Sequence, residues 1–167
     1  MHDIVIRGGT LVDGSGGDPF VGDIGIDGQH IAAIGAPGTL SGKDVIDAAG
    51  LAVAPGFINM LSWAVESLIE DGRSQGNLRQ GVTLEVLGEG FSMGPLSDAM
   101  KAAGTRGILG NNDIQYEVDW TTLGEYLESL VRRGVSTNVA SFVGTSTLRI
   151  HALGYEDRPP TPAELED

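Results

Sequence analysis

Cysteine is absent from the 167 residues, which excludes disulfides and thiolate metal sites and agrees with a reducing, cytoplasmic setting. Basic residues are few: 10 Lys and Arg stand against 23 Asp and Glu, a formal charge of −13. That balance argues against nucleic acid or an anionic membrane surface as a partner. No apolar run approaches the ~20 residues of a membrane span. The opening MHDIVIRGGT has no basic segment followed by an apolar one, so nothing there reads as a signal peptide. Histidine is scarce as well. His2, His30 and His151 are too scattered to form a site by spacing, and a surface or structural role is the reading preferred for His151 over reach into a site.

Glycine, by contrast, is abundant: 26 of 167 residues, about twice the usual ~7%. Apolar segments separate the glycines, so they point to tight turns and close backbone approaches rather than disorder. Hydrophobic content of 41% is ample for a packed core.

Residues 1–54 read as a small β-rich domain. DIVIRGGTLVDG places Ile4 and Ile6 before a Gly8-Gly9 break and a second apolar pair. In DIGIDGQHIAAIG, Ile24 and Ile26 alternate into Asp27-Gly28, and Ile31 to Ile34 run back out. Asp-Gly supplies the positive φ of a type I′ hairpin turn. DVIDA at 44–48 is a further short strand.

From residue 55 the pattern changes to that of an α/β domain. LAVAPGFINML (51–61) reads as one continuous apolar strand buried on both faces, as in a parallel sheet. A helical segment around 63–80 and a second strand in GVTLEVLGEG follow. GPLSDAMKAAG reads as a short helix with Gly104 in the stop position. In WTTLGEYLESLVRRG, Thr121 or Thr122 caps a helix whose face carries Leu123, Tyr126, Leu127, Leu130 and Val131, and Gly134 ends it. VSTNVASFVG is the third strand. Strand, helix, strand, helix, strand is the signature of α/β winding with a parallel sheet. In the closing RPPTPAELED, Thr161 with Glu164 fits a capping box and Pro162 the first helical position. Three parallel strands cannot close a barrel, which takes ~250 residues, so the chain is expected to be the N-terminal part of something larger.

Four stretches, DIVIRGGTLVDGSG, VIDAAGLAVAPGFI, RQGVTLEVLGEG and TNVASFVGTSTLR, with the end GYEDRPPTPAELED, together resemble the amidohydrolase superfamily. Within it they resemble the N-acyl-D-amino acid deacylases (D-aminoacylases). The resemblance spans the entire chain. It implies a small β-domain followed by the first three βα units of a (β/α)₈ TIM-type barrel, and zinc-assisted hydrolysis of a linear amide bond in a small N-acyl-D-amino acid. A divalent metal there polarises the carbonyl and lowers the pKa of a bound water. The remaining barrel, from the same protein or a second chain, would supply most ligands and the catalytic aspartate, so the isolated chain is expected to be inactive and its own catalytic residues are unassigned.

The superfamily's Asp-x-His-x-His after PGFI aligns with Asn59, Leu61 and Trp63. Neither Leu nor Trp has a lone pair to give a metal, so that subsite cannot be built here, and one zinc ion per site is expected rather than two. D-aminoacylases commonly place a cysteine ligand in Gly-Asn-Cys-Gly after the second strand. Gly88-Glu89-Gly90, one residue shorter, sets Glu89 near that position as a candidate metal ligand. A solvated or helix-capping loop carboxylate is the other reading of Glu89. Thr145 stands where the family often has a histidine, and Thr145, Ser146 and Arg149 are candidate substrate contacts or loop-shaping residues. Ser62 and Trp63 are candidate walls of the acyl pocket, with core packing the alternative for Trp63. GEGFSMG is one residue off a dinucleotide-binding glycine pattern, and a loop turn explains its glycines better. The rival to an enzyme is a non-catalytic amidohydrolase-like scaffold that has lost the histidine positions.

Overall fold

The computed structural model describes residues 1–103, 114 and 116–166, which form a mixed α/β structure. The chain divides into two compact units, Met1–Pro55 and Gly56–Asp167.

The first unit is a sheet of five strands: β1 (His2–Leu11), β2 (Phe20–Asp27), β3 (His30–Gly35), β4 (Gly42–Asp47) and β5 (Ala52–Val53). The order is β3-β2-β1-β4, with β5 also pairing β1. The β1–β2 and β2–β3 pairs are antiparallel, whereas β4 and β5 run parallel to β1. The predicted break at Gly8-Gly9 is a bulge inside one continuous strand: the β1–β2 register shifts between Ile6 and Gly9. Gly8 takes φ +67, and a Cβ on Gly9 would lie 2.5 Å from Val53 Cγ2, so both glycines are required locally. Buried Asp23 fastens this bulge, accepting hydrogen bonds from the Gly8 and Leu40 amides. The hairpin forms where expected, but Asp27 pairs with His30 and the loop is Gly28-Gln29. Only Gly28 of these two has positive φ, the pattern of a type II′ turn rather than I′.

The second unit carries a three-stranded parallel sheet, β6 (Phe57–Asn59), β7 (Val82–Leu87) and β8 (Asn138–Ser141), in the order β6-β7-β8. The predicted strand over 51–61 is therefore two strands in two sheets. Pro55 lacks the N–H a continuous ladder needs, and a Cβ on Gly56 would lie 2.1 Å from Thr83 Oγ1. Burial on both faces also fails, since Phe57 and Ile58 are exposed. The predicted helix over 63–80 is two single-turn helices, α1 (Ser67–Glu70) and α2 (Gln75–Leu78). Between them Gly72 lies against the Gly134 carbonyl oxygen, 2.2 Å from where a Cβ would stand. Ser74 is the one non-glycine residue with positive φ among the described residues, at +43.

α3 (Asp98–Ala103) matches the expected short helix; its predicted stop at Gly104 lies outside the described residues. α4 (Leu123–Arg133) is capped by Thr122, whose Oγ accepts from the Glu125 amide while the Glu125 carboxylate accepts from the Thr122 amide. That box is worth about 1 kcal/mol. Gly134 closes the helix with φ +84. The buried face is centred on Tyr126 and Leu130 with Ser129, and Val131 is turned out, 77% exposed. α5 (Thr145–Leu153) follows β8, and a 3₁₀ turn spans Ala163–Leu165. The expected Thr161–Glu164 reciprocal bonds are present there.

Leu87, Val65, Leu68, Met93, Leu96, Met100, Trp120, Tyr126 and Leu130 form the core of this unit. Full burial of each such side chain contributes roughly 1.5–3 kcal/mol. Trp120 sits between Tyr116 and Tyr126, with ring centroids 6.0 and 5.3 Å away, and its indole N–H donates to the Met93 carbonyl at 2.6 Å. Burial and the nearby Glu66 and Glu85 carboxylates push the Tyr126 phenol far up, so it stays a neutral donor to the Val65 carbonyl at 2.9 Å. Among the described residues no helix is long and apolar enough to cross a membrane.

Candidate functional site

The chemistry-bearing residues singled out by sequence fall on the segments that follow β6, β7 and β8. In parallel α/β sheets this carboxyl end of the strands is where ligands are held. After β6 the chain remains paired to its neighbour: the Ser62 amide donates to the Val86 carbonyl at 3.0 Å. The Asn59 side chain accepts from the Leu61 amide at 3.2 Å, which assigns it to the local turn. Leu61 and Trp63 are 51% and 67% exposed, and Ser62 is buried.

Leu61, Ser62, Trp63, Val65, Gly88, Glu89 and Phe91 line one small pocket. The structure thus brings Leu61 and Trp63 into one pocket with Glu89, the candidate ligand. Among the described residues the Glu89 carboxylate has no hydrogen-bond or ion-pair partner.

The loop holding Glu89 is braced from α5. Gly88 takes φ +86, and a Cβ added to it would lie 2.2 Å from the Phe142 carbonyl oxygen, while Gly144 lies flat on Gly90 and Phe91. The Ser146 amide donates to the Gly90 carbonyl at 2.9 Å. Buried Ser92 donates through its hydroxyl to the Gly94 carbonyl and accepts from the Gly144 amide. A Cβ on Gly94 would meet the Leu123 amide nitrogen at 2.5 Å. Packing against neighbouring backbone therefore accounts for Gly88, Gly94 and Gly144.

Of the other candidates, Thr145 is exposed and Ser146 half-buried in the first turn of α5. Neither lines the Glu89 pocket. The Arg149 guanidinium donates to the carbonyls of Glu156 and Arg158 at 3.0 and 2.8 Å. Its hydrogen bonds go to the segment after α5 rather than to the pocket. His151 lines a different cavity, with Arg149, Leu148 and Pro160.

Sequence reasoning missed Glu85. It is 0% exposed in mid-β7 and accepts four hydrogen bonds: Ser62 Oγ at 2.6 Å, Ser74 Oγ at 2.8 Å, Asn77 Nδ2 at 2.9 Å and Thr137 Oγ1 at 3.0 Å. Burial pushes this carboxyl up, but the bonds from Ser62, Ser74, Thr137 and Asn77 outweigh burial and hold it below the ordinary carboxylate range. The available signal was a lone carboxylate inside the β-forming run VTLEVL. Its donors are spread over 76 positions of sequence, from 62 to 137, and no local pattern announces them.

Among the described residues no three His, Cys, Asp or Glu side chains converge as a metal site requires. Leu61 and Trp63 have no lone pair to give a metal, and the described residues by themselves do not fit a catalytic metal. Glu89 offers one carboxylate and nothing beside it completes a coordination sphere.

No protein-family model matches the chain. It is 34% identical over 163 residues to an N-acyl-D-aspartate deacylase of Alcaligenes xylosoxydans xylosoxydans, covering 97% of this chain and 32% of the relative. Solved structures of D-aminoacylase, described as a novel subset of amidohydrolases and as holding a binuclear metal centre with one-metal activation and second-metal attenuation, superpose with a TM-score of 0.84. They share 31% identity over 99% of this chain and 34% of theirs. An N-acyl-D-glutamate deacylase of Bordetella bronchiseptica, complexed with zinc and a phosphonate mimic of the tetrahedral intermediate, superposes with a TM-score of 0.72 at 27% identity, covering 99% of this chain and 34% of that one. The chain therefore spans about a third of the length of the relatives it matches.

Proposed function

The chain belongs to the D-aminoacylase family of amidohydrolases, matching the N-terminal portion of its members, and from that membership we propose that it serves a metal-dependent deacylase of N-acyl-D-amino acids. The observation that carries the reading is the pocket at the carboxyl end of β6 and β7, where Leu61, Trp63 and Glu89 meet. In this reading residues 1–54 are the β-rich domain, and 55–167 open a (β/α)₈ barrel whose first three strands are β6, β7 and β8. The products are a carboxylate and a free D-amino acid.

Glu89 is this chain's one contribution to the metal, a single zinc ion whose other ligands come from the rest of the barrel, in the same protein or a second chain. When bound, such an ion supplies a polarised carbonyl and an acidified water. One ion rather than two follows from Leu61 and Trp63, which have no lone pair to offer. It also accords with the one-metal activation described for D-aminoacylase. Leu61, Trp63 and Phe91 present apolar side chains beside Glu89, and these are proposed to flank the acyl group. Ser146, whose amide bonds the Gly90 carbonyl of the braced loop, and Thr145 beside it are proposed to face the substrate. Ser62 and Arg149 are proposed to enter the site indirectly: the Ser62 hydroxyl donates to Glu85, and Arg149 Nη2 donates to the Glu156 and Arg158 carbonyls.

The test is release of D-amino acid from N-acyl-D-amino acids by the complete protein, with zinc content measured alongside. Turnover that falls with Glu89→Ala supports the reading. A complete protein that holds no metal and releases nothing favours the scaffold reading instead.

A further inference from the structure

We propose that Glu85 is a positioning residue for this site, holding through Ser62 the Leu61–Trp63 wall that faces Glu89. The inference rests on reading the pocket of Leu61, Trp63 and Glu89 as the site.

Glu85 is a fully buried carboxylate whose four hydrogen-bond donors are all neutral: two serines, a threonine and an asparagine. An anion in the interior is tolerable only when its lone pairs are filled. Here Oε1 takes Ser74 and Thr137, and Oε2 takes Ser62 and Asn77. The donors come from three crossings of the chain: the turn after β6, the α2 turn, and the approach to β8. The carboxylate therefore pins three backbone segments to one point of β7.

One donor differs from the others in where it leads. Ser62 lies between Leu61 and Trp63 in the pocket lining, and its hydroxyl has two tasks. It donates to Glu85 at 2.6 Å, and it accepts from the Ala64 amide at 3.3 Å. The turn carrying Leu61 and Trp63 is thereby fastened from beneath at one side chain. A second fastening to β7 comes from the backbone, the Ser62 amide on the Val86 carbonyl. Ser74 serves elsewhere: its hydroxyl bond helps hold the left-handed backbone between α1 and α2. Thr137 anchors the entry to β8. Neither touches the pocket.

The alternative is that Glu85 only holds the core together, in which case loss of any donor acts alike. The two are separated by watching Trp63. Acrylamide quenching and emission are recorded on the full chain, with Trp63→Phe as the background that removes the Trp63 signal; Trp120, at 1% exposure, is shielded. Ser62→Ala is expected to shift the Trp63 emission and change its quenching, and Glu85→Leu to do the same. Ser74→Ala and Thr137→Ala are expected to lower Tm while leaving Trp63 as it is. Should Glu85→Leu fail to fold, Ser62→Ala still decides. Unchanged Trp63 signals in folded Ser62→Ala, or equal shifts in Ser74→Ala and Thr137→Ala, would overturn the proposal. Because the readout needs no turnover, it stands or falls separately from the deacylase reading.

Discussion

Ser92 and Thr147, 55 positions apart, exchange two hydrogen bonds: the Ser92 amide donates to Thr147 Oγ1 at 2.8 Å, and that hydroxyl donates back to the Ser92 carbonyl at 3.1 Å. Both side chains are buried. A single hydroxyl thus satisfies both polar backbone groups of a residue that sits three places beyond Glu89. It also ties the loop after β7 to the first turn of α5. Replacing it by a methyl of the same shape strands a buried N–H and a buried C=O.

Thr147→Val is therefore expected to destabilise the chain by about 1–3 kcal/mol, the cost of leaving such groups unpaired. Thr147→Ser, which keeps the hydroxyl, should recover most of the loss. Urea unfolding of the two variants checks this. Equal stability of Thr147→Val and wild type would mean that solvent or a loop shift supplies the missing partners.

Glu85 gives a pH signature with a definite sign. Its folded carboxyl lies below the ordinary range, so the unfolded chain binds its proton first as pH falls. The stability it contributes is fully present above the unfolded value of about 4.3 and is lost as pH drops below that toward the folded value. Glu85→Gln removes the anion while keeping the shape. The variant should be less stable than wild type at neutral pH, with the gap closing below about pH 4.3. Unfolding curves at several pH values, compared as wild type minus variant, isolate this group from the exposed carboxylates. A gap that stays constant across the range would show that the buried group is not anionic.

What could be read from sequence and what could not divide along the distance between partners. The capping box of Thr122 with Glu125 spans three residues and its signal is local, so the α4 start was legible. So was the hairpin around Gly28, although the loop residue that takes positive φ decided its type. The joining of Leu61, Trp63 and Glu89 in one pocket followed from two strand ends being neighbours in a parallel sheet. The Glu85 network was not legible, because hydroxyls at 62, 74 and 137 signal nothing until the fold gathers them. The division of 51–61 into two strands had a local signal in Pro55, which the apolar run around it outweighed. For Arg149 the sequence shows a cation that could meet an anionic ligand, and the fold adds a local use for it, with the Glu156 and Arg158 carbonyls accepting from Nη2.

Two glycines in comparable helical-start settings should respond in opposite ways to the same substitution. Gly144, at φ −69, carries no conformational demand for glycine, but a Cβ there would lie 2.6 Å from the Gly90 carbonyl oxygen and 2.7 Å from Phe91 backbone. Backbone cannot step aside as a side chain can, so Gly144→Ala is expected to cost about 1–3 kcal/mol by overpacking. Gly76 lies within α2 with nothing within 4 Å of its Cβ direction, and Gly76→Ala should gain up to about 1 kcal/mol from reduced chain entropy. Thermal melts of both variants give the comparison. A neutral Gly144→Ala would mean that the loop bearing Glu89 is free to move off α5.

A metal subsite at Leu61 and Trp63 can be built and tested directly. Leu61 and Trp63 share a pocket with Glu89. Imidazoles at both positions would add two nitrogen donors beside the carboxylate, the number of protein ligands found in catalytic zinc sites. The double variant Leu61→His with Trp63→His is therefore expected to take up one zinc ion at concentrations where the unaltered chain takes up none. Adding Glu89→Ala to that variant should weaken the uptake at least ~10-fold, about 1.4 kcal/mol. Calorimetric titration with zinc alone reads all three proteins without any assay of turnover. If the double variant binds no better than the parent, the two side chains are not aimed at a common point with Glu89. If it binds equally well with and without the carboxylate, Glu89 lies outside the coordination sphere of the rebuilt subsite.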